Sequence, residues 1–86
     1  MRIKYSDKAT KQLRKIAESD RKVAKRIFKK IERYADEPTG KHDIKALKGK
    51  YGSFLRLRVG EYRAIFDLAE NEMLVYEVRH GQEAYR

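Results

Sequence analysis

An α+β sandwich is the fold this sequence predicts: a short N-terminal strand and a two-helix antiparallel hairpin packed on one face of a small antiparallel sheet. Three observations predict it. Apolar residues recur at helical spacing up to about residue 35, then at a spacing of two from residue 54 onward. Turn residues separate the segments, at Pro38-Thr39-Gly40, at Gly60-Glu61 and around Asn71. Helices gathered before a meander of strands pack as one layer on the other.

The elements follow in order. Met1–Tyr5 alternates and suits a short strand. Ser6 is placed to cap a helix beginning at Asp7, in which Ala9, Leu13, Ile16 and Ala17 share a face. Ser19-Asp20 breaks it and starts a second helix, whose stripe is Val23, Ala24, Ile27, Phe28, Ile31, Tyr34 and Ala35. So short a connection folds the helices into a hairpin. Pro38 and Gly40 end the second helix. Ile44–Leu47 reads as a short strand or a lead-in, and Lys48–Ser53, with Gly49 and Gly52, as a loop. Phe54–Val59, Tyr62–Leu68 and Met73–Arg79 are three further strands, and His80–Arg86 is a tail.

The 86 residues suffice for one domain, spanning 1–86. Lys and Arg number 22 against 13 Asp and Glu, a formal charge of +9, which predicts salt-sensitive attraction to polyanions. There is no cysteine, so disulfides and thiolate chemistry are excluded, and with His42 and His80 the only histidines a zinc site is not expected. His42, after the Pro-Gly loop, reads as a surface residue. No apolar run is long enough to span a membrane and no leader follows Met1, so a cytoplasmic location is expected.

The turn at Gly60-Glu61 fixes a register. Val59 faces Tyr62, Leu57 faces Ala64 and Leu55 faces Phe66, an apolar set for the helix side. On the other face Arg58 lies opposite Arg63, with Arg56 beside them. Like charges directly opposite cost a sheet a few tenths to about 1 kcal/mol. A bound phosphate turns that repulsion into binding, and the planar arginine fork suits phosphate oxygens. Lys45, Lys48 and Lys50 lie beside this region, and Tyr51, Tyr62, Tyr76 and Tyr85 are interleaved with it. Tyrosines on the open face can stack on bases; Tyr62 belongs by register to the core, and the register does not settle Tyr76. The basic helix residues from Lys22 to Arg33 form a solvated face that can also meet RNA phosphates. For the last hairpin, paired positions summing to 141 set Arg63 opposite Val78 and put His80 on the arginine face. A one-residue slip reverses this and takes Glu77 off the core face.

Three stretches resemble the RelE/ParE toxin superfamily: Lys45-Ala46-Leu47-Lys48-Gly49; Leu55 through Phe66, with Arg58-Val59-Gly60-Glu61-Tyr62-Arg63 the most specific part; and His80 through Ala84-Tyr85-Arg86. The resemblance covers essentially the whole chain and includes the element order. It implies the toxin of a type II toxin–antitoxin system with a RelE-like microbial RNase fold. RelE-like members cut mRNA in the ribosomal A site, and ParE-like members poison DNA gyrase. By position, Arg63 matches the arginine on the scissile phosphate, Arg56 a catalytic basic residue, and Tyr85 a tail tyrosine that stacks on an mRNA base. One departure stands out: many short members have arginine after the histidine, where this chain has Gly81. Arg79 or Arg86 can compensate; otherwise the chain is attenuated, either naturally or by an alteration that lets it be produced without killing its host.

Metal-free RNA cleavage needs a base for the 2′-OH, charge stabilisation at the phosphoryl oxygens, and an acid for the leaving 5′-oxygen. Arginine supplies the second and is a poor proton carrier. The expected catalytic set is therefore Arg56, Arg58 and Arg63 for charge, His80 as a proton carrier and Tyr85 for stacking, with Lys45, Lys48, Lys50, Arg79 and Arg86 binding RNA and no cofactor. Lys45, Lys48 and Glu83 are further candidates for proton transfer. The expected partners are the ribosome, mRNA and an acidic, RelB-like antitoxin that covers the basic face. A gyrase poison without RNA cleavage, or a non-toxic nucleic-acid-binding domain, are the alternatives.

Overall fold

The side chains that matter lie on a five-stranded sheet carrying two helices on one face. The computed structural model describes residues 1–47 and 53–81. Its elements are β1 (Arg2–Tyr5), α1 (Asp7–Ser19), α2 (Arg21–Asp36), β2 (Ile44–Ala46), β3 (Leu55–Val59), β4 (Tyr62–Ala69) and β5 (Glu72–His80). The strand order is β1-β5-β4-β3-β2.

Local chemistry sets the helix boundaries. Ser6 Oγ accepts from the Ala9 amide at 2.9 Å, and the Asp20 carboxylate accepts from the amides of Lys22 and Val23, so each helix starts on a capping side chain. Ala9 and Leu13 of α1, with Ile27, Ile31, Tyr34 and Ala35 of α2, pack on Leu57, Val59, Ala64, Phe66, Met73, Val75 and Val78 of the sheet. Each large aliphatic or aromatic side chain fully buried there contributes about 1.5–3 kcal/mol. Phe28, counted in the apolar stripe, is 37% exposed and packs edge-on against Tyr5.

The sheet is mixed rather than purely antiparallel. β1 runs parallel to β5, with Ile3 opposite Met73. The α1–α2 hairpin forms the crossover that carries the chain from the edge at β1 to the opposite edge at β2. β1 spans only the first half of β5, so among the described residues no strand lies beside the outer edge of the second half. α1 covers it: the Gln12 side-chain oxygen accepts from the Val78 amide at 2.7 Å. Ile44–Ala46 is a strand, pairing Lys45 with Arg56.

The β3–β4 hairpin has the expected register, Val59 with Tyr62, Leu57 with Ala64 and Leu55 with Phe66. Gly60, at the first turn position, has φ 61°, where glycine is unstrained. The β4–β5 hairpin uses both registers considered for it. From Phe66 to Ala69 the paired numbers sum to 141, and from Tyr62 to Ile65 they sum to 142, with a bulge between. The extra residue switches the side-chain alternation. Met73 and Val75 below the bulge and Val78 above it can therefore all face the helices.

Candidate nucleic-acid interface

The bulge decides what the open face presents. Above it, Arg63 pairs with Arg79, not with Val78, and Arg58 pairs with Arg63. Three arginines thus lie abreast on β3, β4 and β5, at strand spacings of roughly 4.8 Å. The next row is Lys45, Arg56, Ile65 and Glu77. Arg79 was expected to touch RNA; its alignment with Arg58 and Arg63 comes from the slipped register that holds beyond the bulge.

The arginines are held differently. Arg58 is exposed, and its Nε donates to the Gly60 carbonyl at 3.2 Å. Arg79 reaches Glu77 at 3.9 Å. Arg56 departs from the expectation of an exposed cation. It is 7% exposed, and both its Nη atoms lie 3.4 Å from Asp43 Oδ1. Its Nε is buried without a hydrogen-bond partner among the described residues. Arg56 therefore anchors the face from beneath rather than projecting from it. The Arg63 guanidinium lies against the backbone of Gly81, where a Cβ would stand 2.8 Å from Cζ.

His80 does not reach the arginine face in the way the 141 register requires. It pairs with Tyr62, and the two rings meet edge to face at 5.5 Å. At the end of the sheet, however, its ring comes within 3.7 Å of Glu61 and lines a concavity of about 240 Å³ with Arg58, Glu61, Arg63 and Gly81. The Gly81 amide donates to the Glu61 carbonyl at 2.6 Å, tying the start of the tail to the β3–β4 turn. Glu61, read from the sequence as a turn residue only, is thus part of the site.

Tyr76 lies on the open face. Its ring packs on Phe54, which alternates with Arg56 and Arg58, at a centroid distance of 5.0 Å. Ile65 is buried on this side, outside the helix-side core. Tyr76 remains 38% exposed, an aromatic surface beside the cationic rows. Lys45 is exposed on β2. Lys48, Lys50, Tyr51, Glu83, Tyr85 and Arg86 lie outside the described residues.

Arg58 also borders a second basic hollow, of about 320 Å³, with Lys30 and Arg33 of α2 and with Lys41 and His42. His42 is more engaged than a surface residue: it is half-buried edge-on against Tyr34, and its Nε2 is 2.6 Å from the Glu37 carbonyl. Among the described residues no group of histidine, cysteine and carboxylate side chains is arranged to hold a metal. Among them, too, no helix is long and apolar enough to cross a membrane.

The model of the ParE toxin of type II toxin–antitoxin systems, parDE, matches residues 3–85. The chain belongs to this family. It is a type II toxin of the RelE/YoeB/ParE superfamily. No curated protein matches its sequence. Among solved structures the toxin is similar to the YoeB/ParE toxin from Agrobacterium tumefaciens, with TM-score 0.78 and 17% identity over 93% of this chain and 98% of that one. It resembles the toxin fold in the YoeB–YefM complex from Staphylococcus aureus, with TM-score 0.78, 16% identity and coverage of 93% and 95%. It also resembles the RelB–RelE antitoxin–toxin complex from Methanococcus jannaschii, with TM-score 0.74, 26% identity and coverage of 94% and 93%. The ParE-family toxin thus shares with them a sheet carrying a helical hairpin on one face.

Proposed function

We propose that this toxin is a ribosome-dependent endoribonuclease that cleaves mRNA in the A site. The observation that carries the reading is the row Arg58–Arg63–Arg79, three like charges on adjacent strands, two of which, Arg58 and Arg63, line a concavity that also holds a histidine–carboxylate pair. In this reading the 2′-oxygen attacks the adjacent phosphorus, and the P–O5′ bond breaks. Arg58 and Arg63 donate to the phosphoryl oxygens, whose charge grows in the transition state. His80, oriented by Glu61, carries the proton, since imidazole is suited to accept and return one. Tyr76 and, from the tail, Tyr85 are the candidates to stack on a base. Lys45, Lys48, Lys50 and Arg86 add affinity for the backbone. The steps draw on side chains alone.

A single histidine is a thin supply of proton carriers, so positioning by the ribosome supplies the rest of the rate. The partner in the cell is an acidic antitoxin laid over the basic face; two of the structures that this chain resembles, the YoeB–YefM and RelB–RelE ones, are toxin–antitoxin complexes. The site of action is the cytoplasm, where translation occurs.

The test is mRNA cleavage in a purified translation system, with and without ribosomes, for the toxin and its Arg63→Ala variant. Cutting that needs both the ribosome and Arg63 supports the proposal. The match to the ParE model favours a second reading, poisoning of DNA gyrase without RNA cleavage. A folded toxin that leaves mRNA intact but traps gyrase on cleaved DNA supports that reading. One that does neither, and only binds nucleic acid, is a non-toxic binding domain.

A further inference from the structure

We propose that Gly81 is a positioning residue for Arg63: by lacking a side chain it lets the Arg63 guanidinium withdraw against the backbone, away from the phosphate the site would bind. The inference rests on the polyanion-binding reading of the open face.

A Cβ on residue 81 would stand 2.8 Å from Arg63 Cζ, 2.9 Å from Nη1 and 3.0 Å from Nη2. All three contacts are closer than real Cβ atoms approach or at that limit, so one side must move. The backbone of residue 81 is held, because its amide donates to the Glu61 carbonyl. The guanidinium is the end of a flexible side chain, so it is the part that moves. Gly81 does not occupy the left-handed region, so a side chain there is compatible with the local backbone. The glycine is therefore explained by the space it leaves, not by its φ.

The resting position has a functional cost. Arg63 Nε and Nη1 are both buried from solvent. A bidentate grip on phosphate uses two N–H groups that point the same way, either Nε with one Nη or the two Nη atoms together. With Nε and Nη1 covered, neither pair is open to a ligand. Binding a phosphate in this way requires Arg63 to swing out, and the concavity it shares with Arg58, Glu61 and His80 is the space beside it. A protein whose competent conformer is only part of the population binds more weakly in proportion. A methyl group at position 81 removes the withdrawn conformer and should raise the affinity.

The experiment compares the toxin with Gly81→Ala, Arg63→Ala and the double variant. The probe is a short single-stranded RNA with 2′-O-methyl riboses, which cannot be cut, and binding is read by fluorescence anisotropy. Solvent exchange of the Arg63 Nε–H is followed by NMR. Gly81→Ala should bind several-fold more tightly and exchange faster, and the gain should vanish when Arg63 is alanine. Where Arg63→Ala weakens binding, equal affinity of the toxin and Gly81→Ala, or the same gain with and without Arg63, overturns the inference. If Arg63→Ala leaves binding unchanged, the site reading itself fails. The exchange rate then decides alone: faster exchange in Gly81→Ala keeps the inference as a statement about Arg63, and unchanged exchange ends it. Gly81→Arg brings the same Cβ together with a new charge, so Gly81→Ala separates the two contributions.

Discussion

The two faces of this sheet are built from alternate residues of the same strands and are organised on different grounds. Toward the helices, Leu57, Ala64 and Val78 occupy one apolar row, and Val59 and Tyr62 the next, which ends at His80. Toward the open side, Arg58, Arg63 and Arg79 are set abreast against their mutual repulsion. The first face is accounted for by removal of apolar surface from water. The second runs against local stability and is accounted for by a ligand of opposite charge. A residue that lowers the stability of its own strand pair is better evidence of function than one that raises it.

The widest separation of the two faces should come from paired truncations. Phe66→Ala removes a side chain with no exposed surface and should cost about 3–5 kcal/mol in denaturant unfolding. In so small a domain that leaves little folded protein, and function is lost with the fold. Arg63→Ala should instead lower cleavage by about 100-fold, in the range of losing one transition-state donor, while the unfolding midpoint stays close to that of the parent. An Arg63→Ala protein that unfolds would place that residue in the structural half of the comparison.

Charge reversal sharpens the contrast. Arg58→Glu sets opposite charges across from each other where Arg58 now faces Arg63. Stability should rise by up to about 1 kcal/mol, while affinity for RNA falls. A variant that loses both would mean that Arg58 holds the turn through Gly60 more than it awaits an anion.

The smallest effect is on the helix side. Burial pushes the Tyr5 phenol up to about 12, and Glu32 adds to the rise. The unfolded chain therefore loses this proton first, at its ordinary value of 10.0. The contribution is complete below that pH and is lost as pH rises through about 12. A stability–pH profile should fall in that window, and Tyr5→Phe should make it flatter. An unchanged slope would assign the fall to other groups.

The first hairpin was legible in the sequence because one turn glycine and an unbroken alternation leave a single register for Leu55–Phe66. The second was legible only in pieces. Met73, Val75 and Val78 cannot share a face in a regular strand, and that change of spacing is the sequence signal of the bulge. The slipped register on its far side is what aligns Arg79 with Arg63 and His80 with Tyr62. The parallel pairing of β1 was not legible, since no turn links Ile3 to Met73 and only the packing of the whole layer brings them together. The withdrawal of Arg63 depends on a through-space contact between residues 63 and 81, which no local pattern records. Nor did the alternation of β3 show that Arg56 would be covered and tied to Asp43.

The Gln12 amide on the Val78 N–H has a colloidal consequence. A bare strand margin templates the next molecule, and a protein that polymerised through its sheet would be lost to precipitate. Here one side chain occupies the donor that a neighbouring copy would need at that margin. Solubility of the uncomplexed molecule therefore depends in part on an uncharged side chain that supplies none of the row's positive charge.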